Sequence, residues 1–263
     1  MTPLAKLWTA SRIPAIAILC GVVAATLPPA HAAGTPDATE IVRRAEEHLR
    51  GRSSYAELTM TLVRPGWSRT LAMKSWTKGN DQSLILVTAP ARDRGTTFLR
   101  RGHEVWSWIP SVERVIKIPP SMMSQSWMGS DFANDDLVKE SSIVNDYTHA
   151  IAGDSTLDGR VCWKILLLPT PESAVVWGKL LVWIDQRDGL ELRREYYDED
   201  GALVDVMSMS AIRTIGGRLL PTVMEMSPVD KPGNKTVLTY QAARFDEPIA
   251  DSFFSEQNMK SVR

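Results

Sequence analysis

The pattern that most restricts this chain is an apolar–polar alternation of period two that runs, with one interruption, from residue 55 to residue 245. In 55–63, Ala56, Leu58, Met60 and Leu62 fall on one side while Glu57, Thr59 and Thr61 fall on the other. Successive side chains of a strand leave opposite faces, so this stretch is a half-buried β-strand. The same reasoning predicts strands over 70–77, 83–88, 96–101, 104–108 and 114–118. It predicts seven more over 147–152, 161–168, 179–184, 191–197, 204–210, 222–227 and 235–245. Turn residues separate most of them, including Pro65-Gly66, Gly79-Asn80-Asp81 and Gly102. Asp188-Gly189 and Asp200-Gly201 mark tight hairpins. Segments 165–168 and 180–184 are apolar on both faces, which predicts cover on both sides.

Three segments break the alternation. Residues 38–49 place Ile41, Val42, Ala45 and Leu49 at helical spacing with charges opposite, and Gly51 ends that helix. Between Pro119 and Ser142 polar, small and methionine residues mix. Two short helices are expected there, 121–127 and 132–140, the second capped by Ser130 or Asp131. Residues 252–259 suggest a last helical turn. With no internal repeat and no linker, the inventory predicts a mainly β domain with a few helices. One curled antiparallel sheet, or a half-closed antiparallel barrel with helices against its open side, fits it.

The beginning of the chain reads as an export signal, residues 1–32. Lys6 and Arg12 precede an uncharged apolar stretch, 13–27, which Pro28-Pro29 break before Ala30-His31-Ala32. The stretch falls short of the roughly 20 apolar residues that cross a bilayer. Cys20 raises the alternative of an acylated lipoprotein, but bulky Leu19 stands where such signals carry a small residue. The expectation is therefore a soluble periplasmic protein, with residues 33–263 forming a single domain. Of the 30 Lys and Arg, only Lys6 and Arg12 precede the cut, whereas all 31 Asp and Glu follow it. The mature domain is mildly acidic, which excludes a nucleic-acid footprint. Cys162 alone remains, so no internal disulfide supports the fold, and stability must come from a core.

Two common catalytic signatures are missing from the sequence: there is no Gly-x-Ser-x-Gly and no His-Glu-x-x-His. His48, His103 and His149 are scattered, and neither a metal nor a cofactor is expected. Asp131, Asp135 and Asp136 form the best acidic cluster for an envelope hydrolase. They read more simply as a helix cap and early helix charges. The unusual feature is soft and apolar. Met122, Met123, Trp127 and Met128 crowd the insert with Phe132 close behind. Trp106 and Trp108 share a strand face, as do Met207 and Met209, and Met224 and Met226. Methionine-rich surfaces repack around guests of varied shape. The insert residues are thus candidates for a lid, and the strand pairs for the lining of an apolar cavity.

Three blocks resemble a known family. They are Gly95-Thr96-Thr97-Phe98-Leu99 with Trp106-Ser107-Trp108-Ile109-Pro110; Ser126-Trp127-Met128-Gly129-Ser130-Asp131-Phe132 with Asn134-Asp135-Asp136-Leu137; and Trp183-Ile184-Asp185 with Arg193-Arg194-Glu195-Tyr196-Tyr197. The chain is similar to the periplasmic outer-membrane lipoprotein-sorting proteins, the family of the lipoprotein carrier of the Lol pathway. The resemblance implies an incomplete barrel with a helical lid over an apolar cavity, and a non-enzymatic, monomeric carrier of lipid or lipoprotein acyl chains. An inner-membrane transporter would be the donor and an outer-membrane protein the acceptor. A lipoprotein acyl group, a free phospholipid or another hydrophobic export substrate all remain open as cargo. A sensor that uses a similar half-barrel to regulate a membrane-bound partner is the rival reading.

Overall fold

The computed structural model describes residues 36–139, 143–173 and 175–263. The predicted signal, with Cys20, lies outside them. Helix α1 (Ala38–Arg50) comes first. Six strands follow: β1 (Ser53–Arg64), β2 (Trp67–Lys78), β3 (Gln82–Ala89), β4 (Thr97–Arg101), β5 (Glu104–Ile109) and β6 (Arg114–Lys117). After an irregular insert come β7 (Tyr147–Leu157), β8 (Arg160–Pro169), β9 (Lys179–Asp185), β10 (Glu191–Tyr197), β11 (Leu203–Ile215), β12 (Arg218–Pro228) and β13 (Lys235–Phe245). A short helix, α2 (Glu256–Met259), follows them.

All the strands join one 13-stranded antiparallel sheet in the order β6-β5-β4-β3-β2-β1-β13-β12-β11-β10-β9-β8-β7. The sheet is two meanders, β1 to β6 and β7 to β13, fused where β1 pairs with β13. It does not close: β6 and β7 are its two edges. These edges are consecutive in sequence, so the segment between them has to travel from one end of the curled sheet to the other. That connectivity puts the insert over the open side and makes the fold an open half-barrel.

Local signals explain the elements. Asp37 caps α1 by accepting from the Thr39 N–H at 3.0 Å, and Gly51, at φ 65°, ends it. Ile41, Val42 and Ala45 turn into the core as their spacing demands. In β1, Ala56, Leu58, Met60 and Leu62 are the buried set. Strand β3 is buried along Ser83–Val87 because both of its faces are covered. Ile85 and Val87 enter the main core. Leu84 and Leu86 pack instead with Phe254, Met259 and Val262 from the end of the chain. In β9 the same division holds: Leu180, Val182 and Ile184 face the main core while Trp183 packs with Cys162, Leu190 and Leu192.

The insert departs from the expected pair of α-helices. It holds 3₁₀ turns at Pro120–Met122 and Trp127–Gly129, a bridge between Ser126 and Ala133, and a π-type turn at Asp135–Lys139. Met128 (φ 50°) and Gly129 (φ 79°) adopt left-handed conformations that no α-helix can include. Backbone bonds instead fold the segment back on itself, with Trp127 N–H donating to the Phe132 carbonyl at 2.8 Å. Asp131 caps no helix. The expected end of the second helix, Glu140, lies outside the described residues.

Candidate functional site

Between the concave face of the sheet, α1 and the insert lies a cavity of about 190 Å³. Its floor is apolar: Leu58, Met73 and Ile85 on one side, Met207, Met209, Met224 and Leu238 on the other. Register explains the methionines, since Met209 lies opposite Met224 across β11 and β12, and Met224 opposite Leu238. Trp127, Phe132 and Leu137 of the insert form the roof, with Ala45 and Leu49 of α1 beside them. Trp127 is 1% exposed and its ring tilts against Phe98 at a centroid distance of 5.1 Å. Its indole N–H is buried without a hydrogen-bond acceptor.

Of the other residues singled out in the sequence, Met123 and Met226 are buried in the main core but do not line the cavity. Met128 is partly buried against that core and also lies outside the lining. Met122 is exposed at 38%. Trp106 and Trp108 contradict the cavity-lining expectation. They lie on the opposite face of the sheet, packed with Leu84, Leu99, Phe254 and Met259. Alternation places two side chains on one face of a strand but says nothing of which face is concave.

One end of the cavity is polar, and this sequence reasoning missed. Arg194 makes a two-pronged ion pair with Glu191, both bonds 2.7 Å long. Burial opposes the charge on Arg194, but Glu191 holds it protonated well above the usual arginine range. Three residues apart, the two would point to opposite faces of a regular strand. A register shift between Glu191 and Arg193 brings them together. Asp136 accepts from the Ala133 N–H at 2.8 Å and from the Trp177 indole at 3.0 Å. Burial pushes its carboxyl up to about 6 despite those two bonds. Tyr196 and Tyr147 share this end, both raised above the usual tyrosine range by burial. The sequence did carry a clue, because Arg194 and Tyr196 share the inward face of a predicted strand.

The roof is fastened at both ends. Asp131 accepts from Arg64 at 2.9 Å and from the Thr236 hydroxyl at 2.7 Å. Arg64 also donates to the Gly129 carbonyl at 3.2 Å, and Arg69 donates to that of Met128. At the other end, Asp136 ties the insert to Trp177 in the loop between β8 and β9. Asp131 and Asp136 therefore do not converge on a shared partner: Asp131 serves the tip of the roof and Asp136 the cavity end, which Asp135 also lines. Among the described residues, no three His, Cys, Asp or Glu side chains gather as a metal-ligand set.

A family model described as uncharacterized-protein-like matches residues 79–261. The chain belongs to that family. A solved DUF1329 family protein from Desulfovibrio piger is 26% identical, with a TM-score of 0.77 over 84% of this chain and 97% of that one. A domain from Vibrio parahaemolyticus assigned to outer-membrane lipoprotein sorting is 24% identical, with a TM-score of 0.76 over 85% of this chain and 98% of its own. A LolA superfamily protein from Nitrosomonas europaea is 23% identical, with a TM-score of 0.74 over 85% and 100%. The family member thus shares its open half-barrel fold with these three solved proteins, in keeping with the resemblance seen in its sequence. No curated protein matches it. No helix among the described residues is long and apolar enough to cross a membrane.

Proposed function

We propose that this protein is a non-catalytic periplasmic carrier that takes lipid or lipoprotein acyl chains into its cavity and moves them between the envelope membranes. The observation that carries the reading is an apolar cavity roofed by a segment held through a few discrete polar ties. Apolar guests gain about 0.8 kcal/mol for each CH₂ removed from water, without any directional partner. At about 190 Å³ the cavity is not much larger than the ~150 Å³ void that holds a benzene. A whole acyl chain therefore requires the roof to lift, and cargo binding is coupled to release of the Arg64 and Asp136 ties. Trp127 and Phe132 act as the roof over the guest, and Met207, Met209 and Met224 as its adaptable floor. An inner-membrane transporter is the proposed donor and an outer-membrane protein the acceptor, with the carrier a monomer released by signal cleavage.

Native mass spectrometry of the protein purified from its own envelope tests this. Co-purifying lipids or acylated proteins are the expected result. A protein that carries no apolar guest, and takes up none when offered acyl chains, overturns the reading.

A further inference from the structure

The carrier reading leaves the chemistry of the guest open, and one atom in the roof narrows it. The Trp127 indole N–H is a donor with no alternative role, and it is buried beside the cavity without an acceptor. Buried polar groups in folded proteins are nearly always satisfied, so an orphan at the edge of an apolar cavity calls for a partner. In the closed arrangement two contacts set its direction. The Trp127 backbone N–H is bonded to the Phe132 carbonyl at 2.8 Å, and the ring is wedged against Phe98. The Phe98 ring offers only a weak π acceptor. A plain hydrocarbon brings no acceptor either, whereas the carbonyl that heads an acyl ester or amide does.

We infer that Trp127 Nε1 is a recognition donor for the carbonyl oxygen at the head of an acyl chain, so that the site selects acyl esters and amides over bare hydrocarbon. The carbonyl accepts the indole hydrogen while the chain lies on the methionine floor. This inference rests on the carrier reading. The two fail differently.

The test uses the mature protein and three probes matched in their number of non-hydrogen atoms: tridecane, methyl decanoate and N-methyldecanamide. Trp127→Phe keeps an aromatic ring and removes the donor. The expected result is that this change weakens the ester and the amide by about three- to tenfold, the range of one net hydrogen bond, relative to its effect on tridecane. Whichever of ester and amide loses more identifies the type of head group. Independently of the variant, the carbonyl stretch of a ¹³C-labelled ester bound to the wild-type protein should move to lower frequency, as it does on accepting a hydrogen bond. Equal loss for all three probes, or an unshifted carbonyl, overturns the inference and leaves the carrier reading standing. Failure of every probe to bind overturns both.

Discussion

Arg64, at the end of β1, and Asp131, at the tip of the insert, form an ion pair of 2.9 Å with side chains only 12% and 8% exposed. The Thr236 hydroxyl bonds to Asp131, and Arg64 also donates to the Gly129 carbonyl and to the Lys235 carbonyl of β13. A buried pair of this kind contributes little against an apolar replacement, but losing one partner strands the other. The insert can relieve that by swinging Asp131 into water. Arg64→Ala should therefore loosen the roof rather than the sheet. The expected outcome is faster hydrogen exchange at the Trp127 and Ser130 amides, by tenfold or more, with the β1–β13 ladder unchanged. Equal acceleration in both regions would mean that Arg64 supports the whole fold.

Two carboxyls give the protein a pH dependence of definite sign. Burial pushes Asp205 up to about 7, with Asp136 and Asp131 adding to it, and pushes Asp136 up to about 6. The unfolded chain releases both protons near pH 4. From there up to pH 6 or 7 the folded protein holds protons that the unfolded one has lost. Stability from these groups is therefore fully present below pH 4 and falls as pH rises to the folded values. Asp205→Asn should match the wild type near pH 4 and exceed it by a few kcal/mol at pH 8, since each tenfold difference in proton affinity between the folded and unfolded chain is worth about 1.4 kcal/mol. Urea denaturation across this range checks it. A gain that does not change with pH would remove Asp205 as the cause.

The Glu191–Arg194 pair predicts a strongly non-additive cycle. Arg194→Met leaves Glu191, 10% exposed, without its counter-charge, and should cost about 3–5 kcal/mol. Glu191→Gln with Arg194→Met should recover much of that loss. Additive single and double variants in denaturant unfolding would show that the pair is solvated rather than confined.

What could be read in advance follows from how local each feature is. Period two located all the strands, and Asp188-Gly189 and Asp200-Gly201 located their hairpins, because alternation and turn chemistry act within a few residues. The pairing of β1 with β13 joins Tyr55 to Arg244, and nothing local encodes it. The insert misled because Met128 takes a left-handed conformation that methionine rarely adopts, a cost met by the surrounding ties. The polar end of the cavity depends on a bulge beside Leu192, which shifts Glu191 to the face of Arg194 and leaves no mark in composition. The face that Trp106 and Trp108 occupy was not legible because the segment that covers them, Phe254 to Val262, is distant in sequence.

That division of the sheet into two faces separates stability from cargo binding. Phe254 is 1% exposed and packs on Leu84 and Leu99, on the face away from the cavity. Phe254→Ala should cost about 3–5 kcal/mol, the usual range for a large buried aromatic. It removes no atom from the cavity wall, so the folded variant should bind an acyl probe with unchanged affinity. Met209→Ala removes a side chain from the cavity floor and should alter probe affinity as well as stability. Met122→Ser, at an exposed position, should change stability by no more than about 0.5 kcal/mol. Thermal unfolding and probe titration of the three variants test the separation. Loss of probe affinity in folded Phe254→Ala would show that the outer layer shapes the cavity through β3, whose side chains alternate between the two cores.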